Sequence, residues 1–202
     1  MITDPTGNLD RVVAPTVQPV TLDQVKNHLR ITHADEDEVL TAFIAAAAAW
    51  YERLTQRALT LATYRQTFDT WPVDYRRTFG GTILLARAPV VSVTSIKFLD
   101  QAGVEQTVDP AVYRLDASGI QARVIPVTTW PSHGDKPAAV RVNYTAGVST
   151  AAEVDPLDRA AVMMLVAHLD KHREPTITGT IVQQVPMTVE SIVRMRALPS
   201  VW

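Results

Sequence analysis

The chain has 202 residues, 47% of them apolar, enough for one domain of ordinary size or for a core domain carrying an insertion. Nineteen Lys and Arg against twenty-one Asp and Glu leave a net charge of −2, which argues against a protein that grips nucleic-acid phosphates by bulk charge. There is no cysteine, so disulfide frameworks, thiolate catalysis and Cys-ligated zinc are excluded.

In chain order, residues 1–20 read as an extended, proline-containing leader. They contain no basic region followed by an apolar core, and no apolar run anywhere reaches ~18 residues without charge, so neither secretion nor membrane insertion is expected. Thr21 opens a helix with Gln24 three residues on, the capping-box spacing, and Leu22, Val25 and Leu29 form its apolar stripe. A second helix starts in the acidic run Asp35-Glu36-Asp37-Glu38, where carboxylates oppose the positive end of the helix dipole, and runs to about Arg57. Its centre, Ala45 to Ala49, combines the best helix propensity with almost no bulk, so a packing partner can approach closely.

From Leu61 the period changes to two and β-branched residues dominate. Candidate strands are Ala62 to Phe68, Thr82 to Leu85, Val90 to Leu99, Val104 to Val108, Val112 to Leu115, Gln121 to Ile125 and Ala139 to Tyr144. Asp100-Gln101-Ala102-Gly103 joins two of them as a hairpin, and Trp71-Pro72 and Trp130-Pro131 mark loops at the rim. Asp155-Pro156 then starts a helix with Leu157, Ala161, Met164, Leu165, His168 and Leu169 along one side, ending near Glu174-Pro175. The fold class is α+β. The helical core takes residues 21–60 and 150–174, and an antiparallel β insertion takes 61–149.

The final stretch, 175–202, is too apolar for a solvated tail and too short to bury itself. Thr176 to Val185 reads as β-branched strand material stopped by Pro186. From Thr188, placed as a cap, the spacing of Val189, Ile192, Val193 and Met195 or Arg196 predicts a helix of about three turns, with Arg194 and Arg196 near its C-terminal end. So short a helix is marginal alone in water. Either its stripe docks on its own domain or it is offered to a neighbour's groove.

Candidate chemistry is thin. His168 and His172, four apart on one helix with Asp170 and Glu174 nearby, have the spacing of a divalent-metal pair. Against that, no glutamate follows the first histidine as in zinc proteases, and a basic helix end accounts for His172, Lys171 and Arg173. His28 and His33 read as surface or capping residues, and His133 lies in a polar loop. Asp35 to Glu38 lacks the glycine turn and distal glutamate of a calcium loop. Arg76-Arg77 beside Tyr75 and Phe79 is a weak nucleic-acid motif. With no phosphate loop, nucleophile elbow or H-E-x-x-H, an enzyme is not expected, and no cofactor is implied.

Taken together, several segments resemble the head-to-tail connector, or adaptor, proteins of long-tailed bacteriophages and of phage-derived gene transfer agents. They are Val20-Thr21-Leu22-Asp23-Gln24-Val25-Lys26-Asn27-His28-Leu29-Arg30-Ile31, Leu85-Ala86-Arg87-Ala88-Pro89-Val90-Val91-Ser92-Val93, Ile96-Lys97-Phe98-Leu99-Asp100, Trp130-Pro131, Val142-Asn143-Tyr144-Thr145-Ala146-Gly147 and His172-Arg173-Glu174. Lys171-His172 stands where the family usually has an aromatic. The resemblance implies a homo-oligomeric ring of twelve copies between the portal and the first tail or stopper component, with DNA passing through without specific binding.

On that reading the helical part makes ring contacts, assigned to Phe43, Ala47 and Tyr51. The C-terminal segment docks on the portal through Ile177, Ile181, Val182, Val189, Ile192, Val193, Arg194, Arg196 and Trp202. The location implied is the neck of a virion or gene transfer agent particle, built in a bacterial cytoplasm. The alternatives are a metal-assisted enzyme using His168 and His172, and a transient assembly factor.

Overall fold

The structure, a computed structural model, describes residues 7–72, 81–172 and 187–199. The chain divides into two compact units, one drawn from Met1–Thr16, Leu61–Gly147 and Leu198–Trp202, the other from Val17–Thr60 and Val148–Ala197.

The helical unit holds α1 (Leu22–Leu29), α2 (Asp37–Thr55), α3 (Pro156–Lys171) and α4 (Met187–Arg196). Thr21 and Gln24 form the reciprocal capping box that their spacing predicts, with bonds of 3.2 and 3.0 Å. Lys26 of α1 pairs with Asp37 at the start of α2 at 2.7 Å, so part of the acidic run fastens two helices together. Asp155 caps α3 by accepting from the Leu157 amide at 2.9 Å, and Pro156 occupies the first turn. The core is built from Val25, Leu40, Ile44, Ala47, Tyr51, Ala161, Val162, Leu165 and Val166, joined by Val189 and Ile192 of α4.

The buried side of α3 is turned from the predicted stripe. Leu157 is 47% exposed, whereas Asp158 is 4% exposed, because this carboxylate has partners inside.

The β unit is antiparallel throughout its strand pairings. One sheet has the order β1-β2-β8-β4-β5, with β1 Asn8–Val13, β2 Ala62–Phe68, β4 Val90–Leu99, β5 Glu105–Thr107 and β8 Val140–Ala146. A second sheet runs β3-β7-β6, with β3 Ile83–Leu84, β6 Tyr113–Asp116 and β7 Arg123–Pro126. In β2 and β8 alternate residues are buried, and Tyr64 and Tyr144 stack with centroids 5.8 Å apart. The β4–β5 hairpin turns at Gly103, whose φ is +84°, and the Asp100 carboxylate accepts from the Val104 amide at 2.9 Å.

Within the extended leader, Asn8–Val13 forms an edge strand of the large sheet, which is not among the candidate strands. Five of its six residues are exposed, so it carries no buried/exposed alternation by which to recognise it.

Candidate functional site

The helix predicted near the C-terminus forms, one residue earlier than its supposed cap, and its stripe is satisfied at home. Val189 is 0% and Ile192 6% exposed in the core of their own unit, and Val193 packs partly against it. Burying a branched aliphatic side chain contributes about 1.5–3 kcal/mol, which offsets the poor intrinsic stability of a ten-residue helix. Val189 and Ile192 therefore do not form an open docking face, contrary to the partner-facing reading.

Arg196 is likewise engaged internally. Its Nε and Nη2 donate to the two carboxylate oxygens of Asp158, each at 2.8 Å, and Nη2 also lies 3.0 Å from Asp155. The Tyr51 hydroxyl donates to Asp158 Oδ1 at 2.7 Å, and Arg57 Nε donates to the Arg196 carbonyl at 2.8 Å. Burial, then the hydrogen bond to Asp158 and its charge, push the Tyr51 phenol far above its ordinary range, so it stays a donor. The bond to Asp158 also raises the Arg196 pKa. One buried carboxylate thus ties α2, α3 and α4 together.

This geometry corrects two of the ring-contact assignments. Ala47 is 1% and Tyr51 0% exposed in the core, so neither side chain meets another subunit, and Phe43 is half-buried against the same core. The outward side of α2 instead carries Ala42, Ala45, Ala46 and Ala49, all exposed. On α4 the outward side carries Arg194 with Met187 and Met195, the two methionines 81% and 68% exposed. Ile177, Ile181, Val182 and Trp202 lie outside the described residues, as do Arg76-Arg77 with Tyr75 and Phe79, and Glu174.

The His168 and His172 rings approach to 4.7 Å between centroids, and no group of three or more metal-ligating side chains gathers among the described residues. His168 is depressed below the ordinary histidine range by burial, then by the charges of His172 and Lys171.

Three further polar side chains position the elements. Glu52, 7% exposed, accepts from the Leu59 amide at 2.7 Å where the chain leaves α2. Gln66, fully buried in β2, donates to the Leu84 carbonyl at 2.9 Å and accepts from the Ala86 amide at 3.1 Å, bracketing the end of β3. His133 bonds Thr70 at 2.8 Å beside Trp71, which stacks on Trp130 at 4.5 Å and donates to the Pro131 carbonyl at 2.8 Å, tying the two Trp-Pro loops together. The Trp-Pro pairs signal these loops in the sequence, whereas nothing there signals Glu52 or Gln66.

A family model described as head completion protein matches residues 19–195. No curated protein matches. Among solved structures, a chain in the neck of an empty GTA particle, computed with C6 symmetry, is 24% identical with a TM-score of 0.77, covering 96% of this chain and 97% of that one. A chain in the virion of a native gene transfer agent (GTA) particle is 22% identical with a TM-score of 0.74, over 96% and 97% of the two chains. A third, in the neck of a native GTA particle computed with C12 symmetry, is 22% identical with a TM-score of 0.72 over the same shares.

Proposed function

Because the chain belongs to the head completion protein family, we propose that it is a structural adaptor in the neck of a phage or gene transfer agent particle, joining head to tail without catalysis. The observation that carries this reading is correspondence over almost the whole chain, 96% of it and 97% of its counterpart, with a protein of a gene transfer agent neck. A shared catalytic fragment would not give that end-to-end match.

The proposed working form is a ring of twelve copies below the portal and above the first tail or stopper component. Neck reconstructions of related fold computed with C6 and with C12 symmetry support a cyclic arrangement. DNA passes through the ring without being held, since every neutralised phosphate adds affinity and would slow transit, and the net charge of −2 supports that.

The portal is engaged by residues 175–186 and 200–202, which include Ile177, Ile181, Val182 and Trp202, together with Met187, Arg194 and Met195 on the outward side of α4. Val189, Ile192 and Arg196 hold the helix on its subunit while its other face docks. Twelve such contacts act together, so each can be weak.

Truncation after Glu174 would remove core residues as well as docking residues. The discriminating variant is Met187→Glu with Met195→Glu, both at exposed positions. Portal-bearing heads are expected to lose this variant while its melting temperature stays at the parental value. Undiminished binding to heads would refute docking through this face. Presence of the parental chain in purified particles tests the neck reading itself.

A further inference from the structure

We propose that neighbouring copies in the ring are joined by strand pairing, the β1 edge of one copy adding to the open edge of β4 in the next. The proposal rests on the neck reading and identifies the contact that closes the ring. The large sheet ends on one side at β1, which pairs only with β2 among the described residues. On the other side β5 covers β4 along Lys97–Leu99, and Val108 N adds one bond to the Ile96 carbonyl. Among the described residues no strand pairs with that side of Val90–Ser95, a stretch as long as β1.

Soluble proteins protect such edges with charge, proline, shortness or bulges. The open stretch reads Val-Val-Ser-Val-Thr-Ser, without a charge or a proline, and Val91 is 58% exposed. Bulges at Val91 and Thr94 are its only blunting device, whereas the covered part of β4 carries the Lys97–Glu105–Arg141 ion pairs. On β1, Val12 and Val13 are 47% and 54% exposed. Its charges, Asp10 and Arg11, would meet an uncharged strand, so no like charges oppose each other across the contact.

Strand direction selects the second copy as occupant. β1 is antiparallel to β2, β2 to β8 and β8 to β4, so β1 and β4 run in opposite senses. A neighbour related by rotation that keeps its strands in the same sense brings β1 antiparallel against β4. Such a contact is heterologous and generates a ring when the rotation between copies closes, whereas a two-fold dimer would pair β1 with β1 or β4 with β4. Both edges lie in the same unit, so the contact repeats identically from copy to copy.

Because the chain has no cysteine, disulfide trapping reads the contact directly. Antiparallel partners have Cα atoms about 4.5–5.5 Å apart, within the span of a disulfide. Asp10→Cys with Val93→Cys sets the central register, and Arg11→Cys with Ser92→Cys and Asp10→Cys with Val91→Cys cover it and a slip. Oxidised particles are expected to yield a ladder of linked multimers on a non-reducing gel. Particles carrying any single variant should yield none, and a mixture of Asp10→Cys and Val93→Cys chains should stop at dimers.

No ladder in any register, from particles holding the chain at normal copy number, overturns the contact. So do dimers from a single variant, which would report a two-fold pair. Absence of the parental chain from particles overturns the neck reading and this contact with it. Independently, Val91→Lys with Thr94→Lys, at exposed positions, should cut incorporation about tenfold or more at unchanged melting temperature. Parental incorporation would contradict the proposal.

Discussion

Asp158 is the residue on which the helical unit turns. It is almost fully buried, yet it accepts three hydrogen bonds, from Tyr51 and from two nitrogens of Arg196. Removing Asp158 leaves the buried Tyr51 hydroxyl without its acceptor and Arg196 with Asp155 as its remaining ion-pair partner, so Asp158→Ala should cost about 3 kcal/mol in urea unfolding. Tyr51→Phe, which removes one bond and leaves the ion pair, should cost only about 1–2 kcal/mol. Equal losses for the two variants would contradict the hierarchy.

His168 gives a pH signature. Its folded pKa lies below its unfolded value, so the neutral form is the one favoured by folding. Its contribution is complete above the ordinary histidine pKa of about 6.5 and is lost as pH falls through the lower folded value. Melting temperatures compared at neutral and mildly acidic pH should therefore drop less for His168→Gln than for the parent.

Legibility at this scale followed sequence distance. Thr21 and Gln24 could be paired from their spacing because both partners sit on one turn. Tyr51 and Asp158 could not, being 107 positions apart, and Arg196 read as a helix-end charge until Asp158 was seen beneath it.

Among the elements, β2 and β4 match their expected limits because alternation and turn residues bound them on both sides. The edge strand β1 escaped recognition because most of it is exposed on both faces. For α4 the stripe was legible but its destination was not, since the same spacing serves a helix that folds home and one that docks on a partner. The alanine-rich centre of α2 carries a comparable ambiguity, resolved by burial. Ala47→Asp should destabilise the free subunit by several kcal/mol, whereas Ala46→Asp, at an exposed position, should cost about 0.7 kcal/mol, the difference in helix propensity. Thermal unfolding of the two variants distinguishes the faces, and similar melting temperatures would contradict this packing.

For the whole molecule, the helical unit holds α4 through Val189, Ile192 and Arg196, and the large sheet of the β unit ends in two strand edges. Neither arrangement needs a catalytic residue, and both suit a subunit that acts only when repeated around an axis. Composition set the charge and excluded cysteine chemistry, but copy number and symmetry reside in surfaces that a single chain does not display as a pattern.

The role proposed for this chain is a cyclic neck component between portal and tail. A single-particle reconstruction of the neck of its own particle, at a resolution that traces strands, decides whether the chain has that role. Twelve copies are expected around the DNA channel, with α4 seated on its own subunit and its outward face toward the portal. Complete particles with no density for this chain in the neck would contradict it.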